Sequence, residues 1–325
     1  MKPQRNNKWM PWINFAESFV VFFIISFAFY LVLPVHTPKT LRIPSGNMRA
    51  IITHLEQKGL ELSPLDTYIL QRLGTPKEGW LQLPRSPINR VDFLYALTNP
   101  KRYIEKITLI PGETLEIFFS QLHERYDLNA TTLMQRYRER SPYPEAGILA
   151  DTYFVPKGIG EKPLVDFLVR FSERRYETMA KEAFGDYNTT RWKEVLTVAS
   201  IVQKEAANRR EMLLIASVIY NRLKKHMRLQ MDGTLNYGKY SHVKVTPKRI
   251  REDNTTFNTY KHRGLPDSPV AAVSKAAIDA ALHPEKTEYL YFFRNKRTGA
   301  HDFSKTFKAH RRNIQKAKRS ATSTK

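Results

Sequence analysis

The chain has 325 residues, enough for two domains or for one domain with appendages. Its 53 Lys and Arg outweigh 31 Asp and Glu, and the net charge of +22 suits a polyanionic neighbour such as nucleic acid, an acidic membrane surface or an anionic cell-wall polymer. No cysteine occurs, which excludes disulfides, Cys-ligated zinc and thiol catalysis.

The first predicted element is a membrane span. Residues 18–38 carry no Asp, Glu, Lys or Arg, and Phe19 to Leu33 is almost wholly apolar. About 20 residues at roughly 1.5 Å each cross a hydrocarbon core of about 30 Å. Trp9, Trp12 and Tyr30 stand where interfacial aromatics would, and Lys2, Arg5 and Lys8 precede the run. The positive-inside tendency predicts a cytoplasmic tail over 1–15, a single span over 16–38 and the remainder outside the cytoplasmic membrane, with Lys39 and Arg42 as contrary charges. A cleavable signal peptide would need a small-x-small site, and Leu33-Pro34-Val35-His36-Thr37 offers no clear one. A buried core helix is the other alternative, against which stand the run's length and its place at the start.

Residues 39–160 mix short strands with helices. Leu41-Arg42-Ile43 reads as a strand, Pro44-Ser45-Gly46 as a turn, and Met48 to Lys58 as a helix with Ile51, Ile52 and Leu55 on one side and Gly59 as cap. Pro84, Pro87 and Asn89 break the chain before a helix around Val91 to Leu97. A similar order returns with a strand at Ile107 to Ile110, a turn at Pro111 to Thr114 and a helix from Leu115 to Arg125, as an internal repeat would give. Gly112-Glu113-Thr114-Leu115 ahead of an apolar helix resembles a LysM-type βααβ glycan-binding unit. Pro142 to Pro163 reads as an ordered connection, because it is rich in aromatics as well as Pro and Gly.

Residues 161–315 carry the chemistry. Helices are predicted at about 163–183, 191–206 and 209–226, the last with Asn208 and Glu211 as a capping pair. Glu205 ends an apolar stripe of Val198, Ile201 and Val202. A carboxyl against an apolar surface loses solvation and gains proton affinity, which prepares a general acid; a helix-end Glu is, however, ordinarily a solvated surface residue. Asn221, Arg222, Gln230, Asp232, Thr234, Tyr237, Asn258 and Tyr260 follow within about fifty-five positions. Such donors and acceptors suit a hydroxyl- and amide-rich ligand, although Asp232-Gly233 is also a common turn pair. Tyr289 to Phe293 reads as a buried strand with Gly299 to Phe303 as its hairpin return. The tail after Ala309, including a basic segment over 316–325, is expected to fray.

In order, the chain carries A-S-I-V-x-K-E ending at Glu205, N-R-L at Asn221, M-R-L-Q-x-D-x-T ending at Thr234, Y-G at Tyr237, N-T-Y at Asn258, G-L-P at Gly264, A-A-L-H-P at Ala280, Y-L-Y-F at Tyr289 and G-x-H-x-F at Gly299. This ordered set resembles the endolytic murein transglycosylases of the YceG-like family over about residues 190–310. The resemblance implies an α+β protein with a single N-terminal transmembrane helix, a LysM-like subdomain and a mixed α+β catalytic domain. It implies cleavage within peptidoglycan glycan strands, between N-acetylmuramic acid and N-acetylglucosamine, leaving 1,6-anhydro-muramyl ends and terminating nascent strands near peptidoglycan synthases. The catalytic glutamate falls on Glu205. Gln230, Asp232, Thr234, Tyr237, Asn258, Tyr260 and Asn221 become the candidate substrate contacts, with no cofactor and no metal. The chain departs from the family at Gln203, where an acid is usual, at Gly233, where Pro is frequent, and across Gly264 to Ser274, which lacks the second Pro, the Asn and the final Pro-Gly.

Two other readings compete. A membrane-anchored, non-catalytic peptidoglycan-binding scaffold would keep the fold while its loops drifted. A nucleic-acid binder would fit the charge, but the basic residues are scattered without a recognition signature. No H-E-x-x-H is present, and His301 and His310 lie far apart for a metal site. The basic excess is expected to hold the domain near anionic lipid headgroups and peptide-bearing glycan.

Overall fold

The computed structural model describes residues 10–83, 86–100 and 103–322. Lys2, Arg5, Lys8 and Trp9 of the expected cytoplasmic tail, and the break at Pro84, lie outside the described residues.

The chain forms two compact units. The first comprises residues 1–105 and 155–158. It begins with α1 (Met10–Val32), whose stretch Asn14–Val32 is 19 residues long with a mean hydropathy of 2.2 and is not buried inside the molecule. The helix stops at Val32 because Pro34 cannot continue it, and β1 (Pro34–Val35) leaves as a strand. Then come β2 (Thr40–Ile43), α2 (Met48–Gln57), α3 (Pro64–Leu73), β3 (Gly79–Gln82), β4 (Ile88–Asn89) and α4 (Arg90–Thr98). β2 and β3 pair antiparallel, Leu41 opposite Leu81, and β1 pairs with β4. The core gathers Ile51, Ile52 and Leu55 with Leu70, Phe93 and Leu97. The helix α3 starts at Ser63-Pro64-Leu65-Asp66, a capping box in which Asp66 reaches back to the Ser63 N–H. Arg90 bonds the same buried carboxylate at 2.6 Å and lies over the Tyr30 ring at 4.4 Å, joining the end of α1 to this core.

The second unit comprises residues 106–154 and 159–325. β5 (Ile104–Thr108) pairs with β6 (Thr152–Pro156), and α5 (Leu115–Tyr126) and α6 (Ala130–Arg140) lie between them in sequence. The order β-α-α-β therefore occurs twice, at 40–82 and at 104–156, which gives the repeated strand-turn-helix pattern a structural counterpart. After α7 (Glu161–Phe184) come α8 (Thr189–Glu205), α9 (Arg209–Lys224), α10 (Pro247–Glu252) and α11 (Lys275–Leu282). Trp192, Ile201, Ile215, Ile219 and Ile278 form the centre of one core.

A hairpin of β7 (Tyr291–Arg294) and β8 (His301–Ser304) follows, with Phe292 opposite Phe303. Its aromatics are half-buried rather than buried, because the sheet has only two strands and no neighbouring strand covers its edges. The expected frayed tail is instead α12 (Phe307–Thr322) as far as residue 322, and residues 323–325 lie outside the described residues. The Asn313 amide donates to Ser304, and Phe307 and His310 pack on Tyr291, so the hairpin supplies the surface on which this basic segment folds.

Candidate active site

Helix α8 presents Glu205. Every residue from 195 to 202 is buried, so this helix is packed on all sides rather than along one stripe. The exposed Glu194 lies outside that stretch, and Glu205 is half-buried at the end of it, at an open cleft also lined by Lys204, Asp232, Asn236 and Ser241. Glu205 Oε1 accepts the N–H of Gly233 at 2.7 Å. Burial pushes the Glu205 carboxyl above the usual carboxylate range. The Gly233 N–H opposes this, the negative charge of Asp232 adds to it, and positive charge at His301 opposes it; the net direction is upward.

Glycine at 233 is required by this approach. A Cβ there would lie 2.7 Å from Lys204 Cβ and 2.8 Å from Glu205 Oε1. Asp232 and Gly233 open a short 3-10 turn, Asp232–Leu235, which carries both groups to the acid. The Tyr260 hydroxyl donates to Asp232 Oδ1 at 2.6 Å. Burial, then the Asp232 contact and the negative charges of Asp232 and Glu205, push the Tyr260 hydroxyl well up, so it remains a donor. Glu205, Asp232 and Tyr260 are thus the sequence candidates that the fold brings together.

The other candidates are placed differently. Thr234 is fully buried, donates to the Met231 carbonyl and pairs with Thr259 at 3.0 Å. Asn258 is also fully buried, and its amide donates to the carbonyls of Ile250 and Asp253 at 2.8 and 2.7 Å. These two side chains hold main chain and have no surface left for a ligand, which corrects the expectation that they meet substrate. Asn221 donates to the carbonyls of Thr287 and Tyr289, tying α9 to the approach of β7. Tyr237 stacks on Phe257 at 4.3 Å and donates to Asp253. Gln230 has a φ of 50° and an exposed side chain; its N–H donates to the Thr259 carbonyl.

Sequence reasoning missed a polar cluster on the cleft's flank. Lys204 Nζ donates to Ser241 Oγ at 2.8 Å. Glu113 Oε2 meets His242 Nε2 at 2.8 Å, and the Thr114 hydroxyl donates to the Gly238 carbonyl. Glu145 accepts the Leu115 N–H at 3.1 Å, and burial pushes its carboxyl up to about 8 against the pull of that bond and of Lys204. The signal was available in Gly112-Glu113-Thr114 and in Glu145 ahead of Ala146-Gly147, but nothing in one-dimensional spacing joins those segments to residue 204.

Two of the departures from the family pattern meet in space. Gln203 Oε1 accepts from both the N–H and the hydroxyl of Ser274, at 3.2 and 2.6 Å. Ser274 in turn caps α11. Val270 to Val273 are fully buried, and Ala272 exchanges backbone bonds with Gly112 and Glu113. Among the described residues no group of three or more His, Asp or Glu side chains is placed to hold a metal ion.

Comparison with known proteins converges on one family. The YceG-like family profile matches residues 41–316. An endolytic murein transglycosylase of Bacillus subtilis is 33% identical over 222 residues, covering 68% of this chain and 60% of that protein. One from Streptococcus pneumoniae serotype 2 is 26% identical over 85% of this chain and 57% of its own length. The chain therefore spans about three-fifths of the length of these relatives. The crystal structure of a yceG-like protein from Listeria monocytogenes superposes with a TM-score of 0.55 at 28% identity, covering 84% of this chain and 98% of that one. With a match over most of its length and an α+β fold shared with a solved member, this chain belongs to the YceG-like family.

Proposed function

We propose that the protein is an endolytic murein transglycosylase that cleaves glycan strands of peptidoglycan, with Glu205 as its acid and base. The observation that carries this reading is the Glu205 carboxyl, its proton affinity raised by burial at the wall of an open cleft and flanked by the Asp232–Tyr260 pair. Glu205 protonates the glycosidic oxygen between the muramyl and glucosaminyl residues, and the C1–O bond breaks. The muramyl C6 hydroxyl attacks C1, and the Glu205 carboxylate takes the hydroxyl proton. The acid is regenerated, no water is consumed and the muramyl end closes as a 1,6-anhydro ring. One carboxyl serves both steps, where hydrolytic glycosidases ordinarily use two. General acid-base catalysis of this kind contributes roughly 10² to 10⁴ in rate, and intramolecular attack adds proximity.

Asp232 and Tyr260 hold sugar hydroxyl or acetamido groups and stabilise positive charge at C1. Gln230 serves the same groups from the cleft's rim. Asn221 and Tyr237, with Thr234 and Asn258, set the shape of the wall. The apolar α1 anchors the protein in the cytoplasmic membrane with the catalytic unit outside, where new strands emerge beside their synthases. The βααβ units are LysM-like; the second supports the groove through the contact of Glu113 with His242.

The test is digestion of purified sacculi by the full chain in detergent, comparing wild type with Glu205→Gln, with products read by mass spectrometry. Internal 1,6-anhydro ends that fall at least roughly 100-fold in the variant are expected. Reducing ends would mean a hydrolase that admits water, and wild-type binding of glycan without cleavage would favour a scaffold.

A further inference from the structure

The proposed chemistry leaves Glu211 and His301 unused, yet they form a tightly connected buried pair. Glu211, on the first turn of α9, accepts from the Ala207 N–H at 3.0 Å and from the His301 N–H at 2.9 Å. Its Oε2 also meets His301 Nδ1 at 2.8 Å. Both side chains are 7% exposed. Burial pushes the Glu211 carboxyl up, but the bonds from His301 and Ala207 outweigh it, and the group sits below the usual carboxylate range. An ionised carboxylate only accepts, so Nδ1 carries the proton.

The position of this pair is informative. Ala207 lies two residues beyond Glu205, in the turn between α8 and α9, and His301 opens β8. One carboxylate therefore fastens the turn after the acid to a strand 90 residues away from itself. The ring is also held edge-on by Phe292, with centroids 5.4 Å apart. When the ring is protonated, its positive charge favours the Glu205 carboxylate. The other charged or titratable groups acting on the acid are Asp232 and, through its own hydroxyl, Tyr260; Lys204 is its neighbour on α8.

We propose that Glu211 and His301 are a positioning pair for Glu205: Glu211 locks the turn that follows the acid and fixes the His301 imidazole, whose protonated form stabilises the Glu205 carboxylate after the proton has left. This rests on Glu205 being the acid. The pair does not touch substrate. It divides the acid's environment into opposing parts, with burial and Asp232 favouring the protonated state and His301 favouring the ionised one. An acid that must both release and recover a proton works best when neither state is strongly preferred.

The test uses the full chain in detergent and compares His301→Asn, Glu211→Gln and the double variant. Asn places an amide where Nδ1 was, so it keeps the bond to Glu211 and removes the ionisable ring. In His301→Asn we expect a melting temperature close to wild type and a kcat lower by about tenfold with KM within about threefold. The alkaline limb of its pH–rate profile should move to higher pH, because loss of positive charge leaves Glu205 protonated longer. The double variant should lose no more than the worse single variant, as residues acting as one unit do. Wild-type kcat and an unmoved limb in His301→Asn would overturn the proposal, as would a lower melting temperature with an unmoved limb, or losses that multiply in the double variant. Glu205→Gln run beside them separates the two readings. If Glu205→Gln is inactive and the His301→Asn limb does not move, only the pair's role fails; if Glu205→Gln is active, the assignment of the acid fails.

Discussion

A methyl group at position 233 would lie 2.8 Å from the Glu205 carboxylate and 2.7 Å from Lys204 Cβ, closer than real Cβ atoms come to their neighbours. Gly233→Ala must therefore push the turn away from α8 and lengthen the 2.7 Å bond to Glu205. That bond favours the ionised acid, so its loss raises the Glu205 proton affinity further. The expected outcome is a kcat lower by about tenfold, the size of one weakened charge-assisted hydrogen bond, with the alkaline limb of the pH–rate profile moved upward; a pH–rate series on both proteins checks it. At the same scale, Gln203 and Ser274 show two departures from the family pattern bonded to each other. Neither could be interpreted from its own position in sequence.

Elements with strong local signals were legible in the sequence. The helices near Met48, Leu115, Glu161 and Arg209 follow from apolar spacing and capping, and the structure places Asn208 as the cap of α9 through the Glu211 N–H. The helix α3 went unread although Ser63-Pro64-x-Asp66 encodes its start, because Leu70 is its one buried apolar residue and no stripe marks it. Helix α12 was unreadable as a helix from its polarity: a basic run resembles a solvated tail until β7 and β8 supply Tyr291 and Ser304 as a platform. The site behaves alike. Glu205, Asp232 and Tyr260 sit near motifs that mark them, while Glu145 reaches the cluster only through the fold.

Glu145 also couples element stability to pH. It holds the first turn of α5 through the Leu115 N–H, and its carboxyl is raised to about 8 from an ordinary 4.5. A carboxyl raised in the folded state stabilises the fold fully below its unfolded pKa, and that contribution is lost as pH rises through the folded one. The window therefore runs from about pH 4.5 to about 8. We expect the wild-type melting temperature to fall across this range and Glu145→Gln, which keeps an acceptor for Leu115 without ionising, to fall less. Melting curves at pH 5 and pH 9 check this, the difference being on the order of a few kcal/mol.

For the whole molecule, the central question is how so basic a protein is held at a membrane. The Asn14–Val32 stretch is long and apolar enough to cross a membrane and is not buried in the protein. The Arg90–Asp66 pair, with Tyr30 beneath the guanidinium, ties the end of α1 to the first core, so this apolar helix continues into folded protein without a loose linker. The expected outcome is that the full chain stays with membranes through alkaline carbonate or high-salt washing and is released by detergent. Release by salt alone would mean that charge, rather than α1, holds it. The two βααβ units also follow different courses. One packs around its own core of Leu55 and Phe93, while the other sends Glu113 and Glu145 toward the residues of the candidate cleft.

Glu205 closes α8, and that places the acid at the electronegative end of a 17-residue helix. Aligned peptide dipoles leave roughly half a negative charge there. The same field that discourages ionisation of the carboxyl draws positive charge into the cleft, and a cleaving glycosidic bond puts such charge on the sugar. An imino-sugar, cationic once its ring nitrogen is protonated, should bind this cleft more tightly than its neutral counterpart of equal shape.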